Sequence, residues 1–189
     1  MELKFVLNNS AALKRQLIRQ IEDMAPLEYY SVQTQDTYFK TKHSPGYIYR
    51  LREDERLCQL TVKSTKFVNA ARYEVNLDVS SKNAPVVKAV AAFLKPLEIM
   101  WEGKIRKKVA VFLFRDCEIV YYIAKYGRKA VCCLEIEATK YKNLREATKI
   151  IAKYCDILGL AKSAAVTKSL FDILVGDSHV SSRKNSRRS

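Results

Sequence analysis

Polar and apolar residues alternate along several short stretches of the chain, the period of a β-strand that turns one face toward a core. The pattern predicts strands from Glu2 to Leu7 and from about Val32 to Lys40, Tyr47 to Arg52, Leu57 to Lys63 and Ala71 to Val79. Charged or Pro-Gly turns join them, and such short connections imply antiparallel pairing. Strand patterning returns from Leu97 to Ala138, with turn signals at Glu102-Gly103, Arg115-Asp116 and Tyr126-Gly127-Arg128. Helical spacing fills the gaps. Asn9 or Ser10 can cap a helix whose Leu13, Leu17, Ile18 and Ile21 form one stripe. Asn83 and Pro85 open a second helix through Leu94 that is apolar nearly all round and is expected to be well buried. Asn143 caps a third helix that Gly159 ends, and Thr167 caps a short fourth that Gly176 ends. About eight antiparallel strands with segregated helices define an α+β fold rather than a βαβ sheet. Its apolar face packs on the helices. The charged face must then meet water on an open sheet or turn inward as the wall of a closed antiparallel β-barrel, whose interior at about eight strands holds side chains or one small ligand.

The signs of the charges change this picture. Six stretches place charges two apart around an apolar residue: Glu2-Leu3-Lys4, Arg50-Leu51-Arg52, Thr61-Val62-Lys63, Arg72-Tyr73-Glu74, the run from Lys104 to Lys108, and Glu135-Ile136-Glu137. For any single strand, a solvated surface explains such alternation most simply. Surface strands gain by mixing signs, however, whereas Arg50 with Arg52, Lys104 with Arg106 and Lys108, and Glu135 with Glu137 set like charges side by side at a cost in stability. A ligand explains such a face better than stability does. The candidate bases are Lys4, Arg50, Arg52, Lys63, Arg72, Lys104, Arg106 and Lys108, and the candidate acids are Glu2, Glu74, Glu135 and Glu137. Guanidinium and ammonium groups neutralise phosphate oxygens, while carboxylates on the same wall can hold Mg²⁺ or Mn²⁺. Bases alone would suggest a plain anion groove; adding acids points to metal-assisted phosphoryl chemistry.

Composition narrows the partners. The 189 residues suffice for one domain with a full core, expected over residues 1–176, followed by a basic disordered tail over 177–189. A net charge of +14, four units of it from Arg183, Lys184, Arg187 and Arg188 in that tail, favours polyanions, RNA among them. Cys58, Cys117, Cys132, Cys133 and Cys155 lack C-x-x-C spacing and partner histidines, so they read as reduced core thiols of a cytoplasmic protein rather than zinc ligands or disulfides. No stretch is long enough to span a bilayer and no leader pattern opens the chain, so a soluble, unprocessed protein without a membrane partner is expected. Neither G-x-x-x-x-G-K-[ST] nor G-x-G-x-x-G occurs. His43 in a Ser-Pro-Gly turn and His179 in the tail do not suit a catalytic triad. Tyr47 and Tyr49 beside Arg50 could stack bases, but no RNA-binding signature accompanies them.

The order of these stretches resembles the CYTH, or triphosphate tunnel metalloenzyme, superfamily of class IV adenylyl cyclases, thiamine triphosphatases, inorganic triphosphatases and fungal-type RNA triphosphatases. Glu2-Leu3-Lys4-Phe5 is similar to the family's opening E-x-E-x-K without its first Glu. Gln35-Asp36-Thr37-Tyr38-Phe39 resembles the second-strand signature, and Tyr49-Arg50-Leu51-Arg52 the L-R-x-R strand. Leu60-Thr61-Val62-Lys63 is similar to T-x-K, Ala71-Arg72-Tyr73-Glu74 to R-x-E-x-E, Lys104-Ile105-Arg106 to K-x-R and Leu134-Glu135-Ile136-Glu137 to the late E-x-E. Leu158-Gly159-Leu160 and Lys168-Ser169-Leu170-Phe171 resemble the usual ending, so the likeness runs from Glu2 to about Leu174.

The resemblance implies a closed barrel whose lumen binds a linear triphosphate through its bases and a divalent metal, Mg²⁺ or Mn²⁺, through its acids. Lys4, Arg50, Arg52, Lys63, Arg72, Lys104 and Arg106, with Lys108 beside them, would contact phosphate. Glu2, Glu135 and Glu137 would be the metal ligands, and Glu74, Glu135 and Glu137 the catalytic acids that position water. The expected activity is metal-dependent hydrolysis of a nucleoside triphosphate, inorganic triphosphate or RNA 5′-triphosphate. A weakened or inactive triphosphate binder and a class IV-type adenylyl cyclase are the alternatives. Three departures favour the binder more than a typical member would. Met1 precedes Glu2, Asn76 stands where the second Glu of R-x-E-x-E is expected, and Ala124 or Lys125 stands where the family carries an Asp. Each removes a hard anionic ligand.

Overall fold

A computed structural model describes residues 1–8, 10–65, 73–80 and 85–176. Its strands are β1 (Glu2–Leu7), β2 (Glu28–Thr41), β3 (Tyr47–Glu53), β4 (Cys58–Ser64), β5 (Glu74–Asp78), β6 (Ile99–Leu113), β7 (Cys117–Tyr126) and β8 (Lys129–Ala138). They form one eight-stranded antiparallel sheet in the order β1-β8-β7-β6-β2-β3-β4-β5. Among the described residues, four α-helices flank it: α1 (Ala11–Asp23), α2 (Val86–Leu94), α3 (Leu144–Ile157) and α4 (Leu170–Leu174). The chain divides into two compact units, one of Met1–Ser31 with the chain from Lys108 onward, the other of Val32–Lys107.

In the first unit the strand period does the sorting. Phe5 of β1, Ile119 and Tyr121 of β7, and Cys132, Leu134 and Ile136 of β8 share one buried cluster with the helices. Helix α1 contributes Leu17 and Ile21, four apart on one stripe, and its N-terminus is capped by Ser10, whose Oγ accepts from Leu13 N at 3.5 Å. Helix α3 contributes Ala147, Ile150, Ile151, Tyr154 and Cys155, the i, i+3, i+4, i+7, i+8 spacing that keeps a stripe on the sheet. Asn143 caps it through a 3.0 Å bond from Glu146 N. Truncating a side chain as enclosed as Ile151 to Ala costs about 2–5 kcal/mol through lost transfer energy and the cavity left behind. Gly159 follows the helix with φ +65°, the left-handed conformation that glycine adopts without strain.

In the second unit Phe39, Tyr49, Leu51 and Leu60 pack with Val90 and Leu94 of α2. Here the structure departs from the sequence reading in two places. Helix α2 is not buried all round: Val90 and Leu94 face the core, while Phe93 is 72% exposed. A single sheet face can take only one stripe of a helix, however apolar the rest. Glu102-Gly103 is not a turn either, because β6 runs straight through it. Gly103 is there for packing: a Cβ at that position would collide with the Trp101 indole.

A smaller difference lies at α4, where Ser169 and not Thr167 is the cap. Ser169 and Asp172 form a reciprocal capping box. Asn9, Asn83, Ala71, Arg72 and the tail from residue 177 lie outside the described residues.

Candidate functional site

Alternation along β2 to β5 gives the second unit a polar face opposite its core. Register places Tyr38 against Arg50 and Asp36 against Arg52, then Arg50 against Thr61, then Thr61 against Asn76 and Lys63 against Glu74. Asp36 is closed to solvent. Lys107 Nζ lies 2.5 Å from its Oδ2 and Arg52 Nε 3.1 Å from its Oδ1, and Tyr38 Oη donates to Oδ2 at 3.4 Å. Burial alone would raise the Asp36 pKa, but Lys107, then Arg52 and Arg50, hold it well below the usual carboxylate range. Lys107 is shifted down to about 8 by its burial, with Asp36 opposing the shift and Arg52 and Arg50 adding to it. Farther along, Arg50 Nη2 donates to Thr61 Oγ1 at 2.9 Å, and Thr61 donates on to Asn76 Oδ1 at 2.7 Å. Asn76, standing where a carboxylate was expected, thus accepts a hydroxyl. Lys63 Nζ pairs with Glu74 Oε2 at 2.6 Å, with Arg50 at 4.0 Å from the other oxygen. Arg50 Nε is buried and finds no acceptor among the described residues. A buried donor left in that state costs about 1–3 kcal/mol unless something supplies an oxygen.

The first unit carries a second polar set, on β1, β8 and β7. Lys4 lies opposite Glu135, and its Nζ reaches Glu135 Oε1 at 3.0 Å and Glu2 Oε1 at 3.7 Å. Tyr122 Oη donates to the same Glu135 oxygen at 2.7 Å. Burial works against the Lys4 charge, yet Glu135 and then Glu2 raise its pKa, so the ammonium is held charged. Burial and then the Glu135 charge raise the Tyr122 pKa far above its usual value, which keeps the phenol protonated. Glu137 stands directly opposite Glu2 on one side and Glu118 on the other. Three carboxylates therefore occupy one row across three strands. Ala124 shares the alternation of Glu118 and Tyr122 and is fully buried, while Lys125 is exposed.

These placements correct one group of expectations. Lys104, Arg106 and Lys108 are exposed on alternate positions of β6, and Lys107 between them is the buried one that meets Asp36. Lys104 and Arg106 therefore lie on the strand face opposite Lys107, away from Asp36 and Arg52. Asp36, Lys107, Tyr122 and Glu118 are the members that the sequence reading passed over. Arg72 lies outside the described residues. His43 binds Glu98 at 2.8 Å on an exposed surface beside Lys42 and joins neither set.

A divalent cation prefers hard oxygen donors, and the row of Glu2, Glu137 and Glu118 offers them in kind and in register. Among the described residues, no three acids, thiols or imidazoles already converge on a single point. Glu135 is engaged by Lys4 and Tyr122, and Glu2 by Lys4.

A sequence model of the CYTH domain matches residues 1–169, and the chain belongs to that family. Solved structures share the fold. The PH1012 protein of Pyrococcus horikoshii OT3 is 21% identical, with 92% of this chain and 98% of that one covered and a TM-score of 0.72. A conserved hypothetical protein of Pyrococcus furiosus is 18% identical over 92% of this chain and 100% of its own, with a TM-score of 0.65. The Mimivirus capping enzyme triphosphatase is 11% identical over 84% and 89%, with a TM-score of 0.51. No curated protein matches. The superfamily includes triphosphatases and adenylate cyclases, and its triphosphate tunnel enzymes are generally dependent on a divalent metal. No helix among the described residues is long and apolar enough to cross a membrane.

Proposed function

We propose that the protein binds a linear triphosphate through Arg50, Arg52 and Lys63 of the second unit and hydrolyses it, the substrate being inorganic triphosphate, a nucleoside triphosphate or an RNA 5′-triphosphate. The observation that carries this reading is the Arg50 Nε, a buried guanidinium N–H without an acceptor beside a second Arg and a Lys. A phosphate oxygen is the acceptor such a donor suits best. Thr61 fixes the guanidinium, and Glu74 fixes Lys63, so the donors are oriented before the substrate arrives. Asp36 holds Arg52 and Lys107 in the same way. A Mg²⁺ or Mn²⁺, of the kind on which the family's triphosphate tunnel enzymes generally depend, would neutralise phosphate oxygens and polarise the terminal phosphoryl group. In the reaction, a water oxygen bonds to the terminal phosphorus, the bond to the bridging oxygen breaks, and inorganic phosphate leaves with the water's proton passed to solvent.

A second reading is a triphosphate binder without turnover. It is favoured by the pairing of Asp36, Glu74 and Glu135 each with a base. Phosphate and pyrophosphate release should be measured with Mg²⁺ or Mn²⁺ on inorganic triphosphate, ATP, thiamine triphosphate and 5′-triphosphate RNA, beside a Glu137→Gln control. Metal-dependent phosphate release that the control loses supports the hydrolase. Retained triphosphate binding with no release supports the binder, and pyrophosphate release from ATP points to a cyclase instead.

A further inference from the structure

Away from both polar sets, the first unit carries a cleft of about 510 Å³. Four chain segments build it: the link between α1 and β2, the turn between β6 and β7, the chain just after β8, and the middle of α3. Each is tied to another. Leu27 N donates to Leu113 O at 2.7 Å, Thr139 N to Asp116 O at 3.0 Å, and Tyr154 Oη to Asp116 Oδ1 at 2.8 Å. Ala25, where α1 gives way to the cleft, holds φ +52°, a conformation that persists in alanine only when its surroundings impose it. The walls are thus set before any ligand arrives.

The lining has two characters. Leu27 is 76% exposed, an uncovered apolar side chain, and Phe114 lies with its ring 5.1 Å from that of Tyr154. Around this patch stand Arg115, Lys140 and Lys153, all exposed, and none of them makes an ion pair among the described residues. Lys153 Nζ sits 5.0 Å from the Tyr154 ring centroid, a cation–π contact that steadies the ammonium over the cleft. The acid in the lining, Asp116, already accepts from Tyr154. Three cations against one carboxylate, beside an exposed apolar wall, suit a ligand with an anionic end and a flat apolar body. The volume falls in the range of small-molecule sites, about 300–1,000 Å³.

We propose that this cleft is a second ligand site, one for a nucleoside phosphate, with Arg115, Lys140 and Lys153 on the phosphates and the base against Leu27 and Phe114. It is independent of the triphosphate reading, since none of its residues belongs to the polar sets. ADP is the probe, titrated into the full chain while NMR follows the Leu27 methyl and Phe114 ring signals, with pyrophosphate titrated in parallel. The expected result is saturable ADP binding that shifts those signals and exceeds pyrophosphate affinity. In the Arg115→Glu/Lys140→Glu variant it falls at least about tenfold, the equivalent of about 1.4 kcal/mol. Arg50→Lys should leave that binding unchanged. The proposal is overturned if ADP does not bind by about 5 mM, a concentration at which even millimolar affinity would register. Equal binding of pyrophosphate, read at the Leu27 and Phe114 signals, would overturn it too, as would ADP binding that Arg50→Lys abolishes and the cleft variant retains.

Discussion

Lys107 lies 2.5 Å from the Asp36 carboxylate, and both side chains are closed to solvent. An ion pair so enclosed is a weak source of stability, because desolvation offsets most of its attraction, but breaking it is expensive. Asp36→Asn would leave Lys107 buried without its counter-charge and remove the acceptor of Arg52. Urea unfolding should show a loss of about 3–5 kcal/mol. Asp36→Leu combined with Lys107→Met should recover much of it, because the two residues are coupled and their effects are not additive.

The same pair sets the acid response. The folded state keeps Asp36 ionised below the pKa of an unfolded carboxylate, about 3.9, so its contribution is fully present above that value and disappears as pH falls through the lower folded one. Melting temperatures from pH 7 down to pH 3 should therefore drop more steeply in the native protein than in Asp36→Asn, which has no proton to take up at this site. Parallel acid limbs would contradict the assignment.

Gly103 lies against the indole of the chain's one tryptophan. Gly103→Ala should force Trp101 to swing, since the colliding atoms belong to the far edge of the ring. The expected outcome is a shift in tryptophan emission with a stability loss of about 1–3 kcal/mol, the usual cost of overpacking. An unchanged emission spectrum would mean that the ring does not lie over Gly103.

At α4 the capping box makes a sharper statement than helix propensity does for a five-residue element. Ser169→Ala should cost about 1 kcal/mol in thermal or urea unfolding, and Thr167→Ala should cost little.

How far the sequence foretells this molecule follows from the strictness of the two-residue period. Arg50, Arg52, Thr61 and Lys63 are read to one face because their strands contain no bulge between them and register keeps them opposed. The eight strands, the caps Ser10 and Asn143, and the stripes of α1 and α3 follow from equally local rules. Tertiary context decides the rest. The run from Lys104 to Lys108 carries charge in both alternations, so like-sign reasoning favours 104, 106 and 108, whereas the structure buries 107 because Asp36 awaits it there. Asp36 falls within a predicted strand but has no charged neighbour at strand spacing, so like-sign reasoning passes it by. Glu118 becomes informative only through its position opposite Glu137, a relationship created by the β7–β8 hairpin register. Gly103 resembles a turn signal until its partner, an indole two residues away, is seen.

Phosphate release from inorganic triphosphate in Mg²⁺, measured for the native chain and for Arg50→Lys, tests the central claim most directly. Lysine keeps the charge but lacks both the Nε–H that has no acceptor and the Nη2 donor to Thr61. The account predicts metal-dependent release by the native protein and a loss of at least about tenfold in kcat/KM for the variant, with the melting temperature nearly unchanged. Release that is equally fast in both proteins would contradict it.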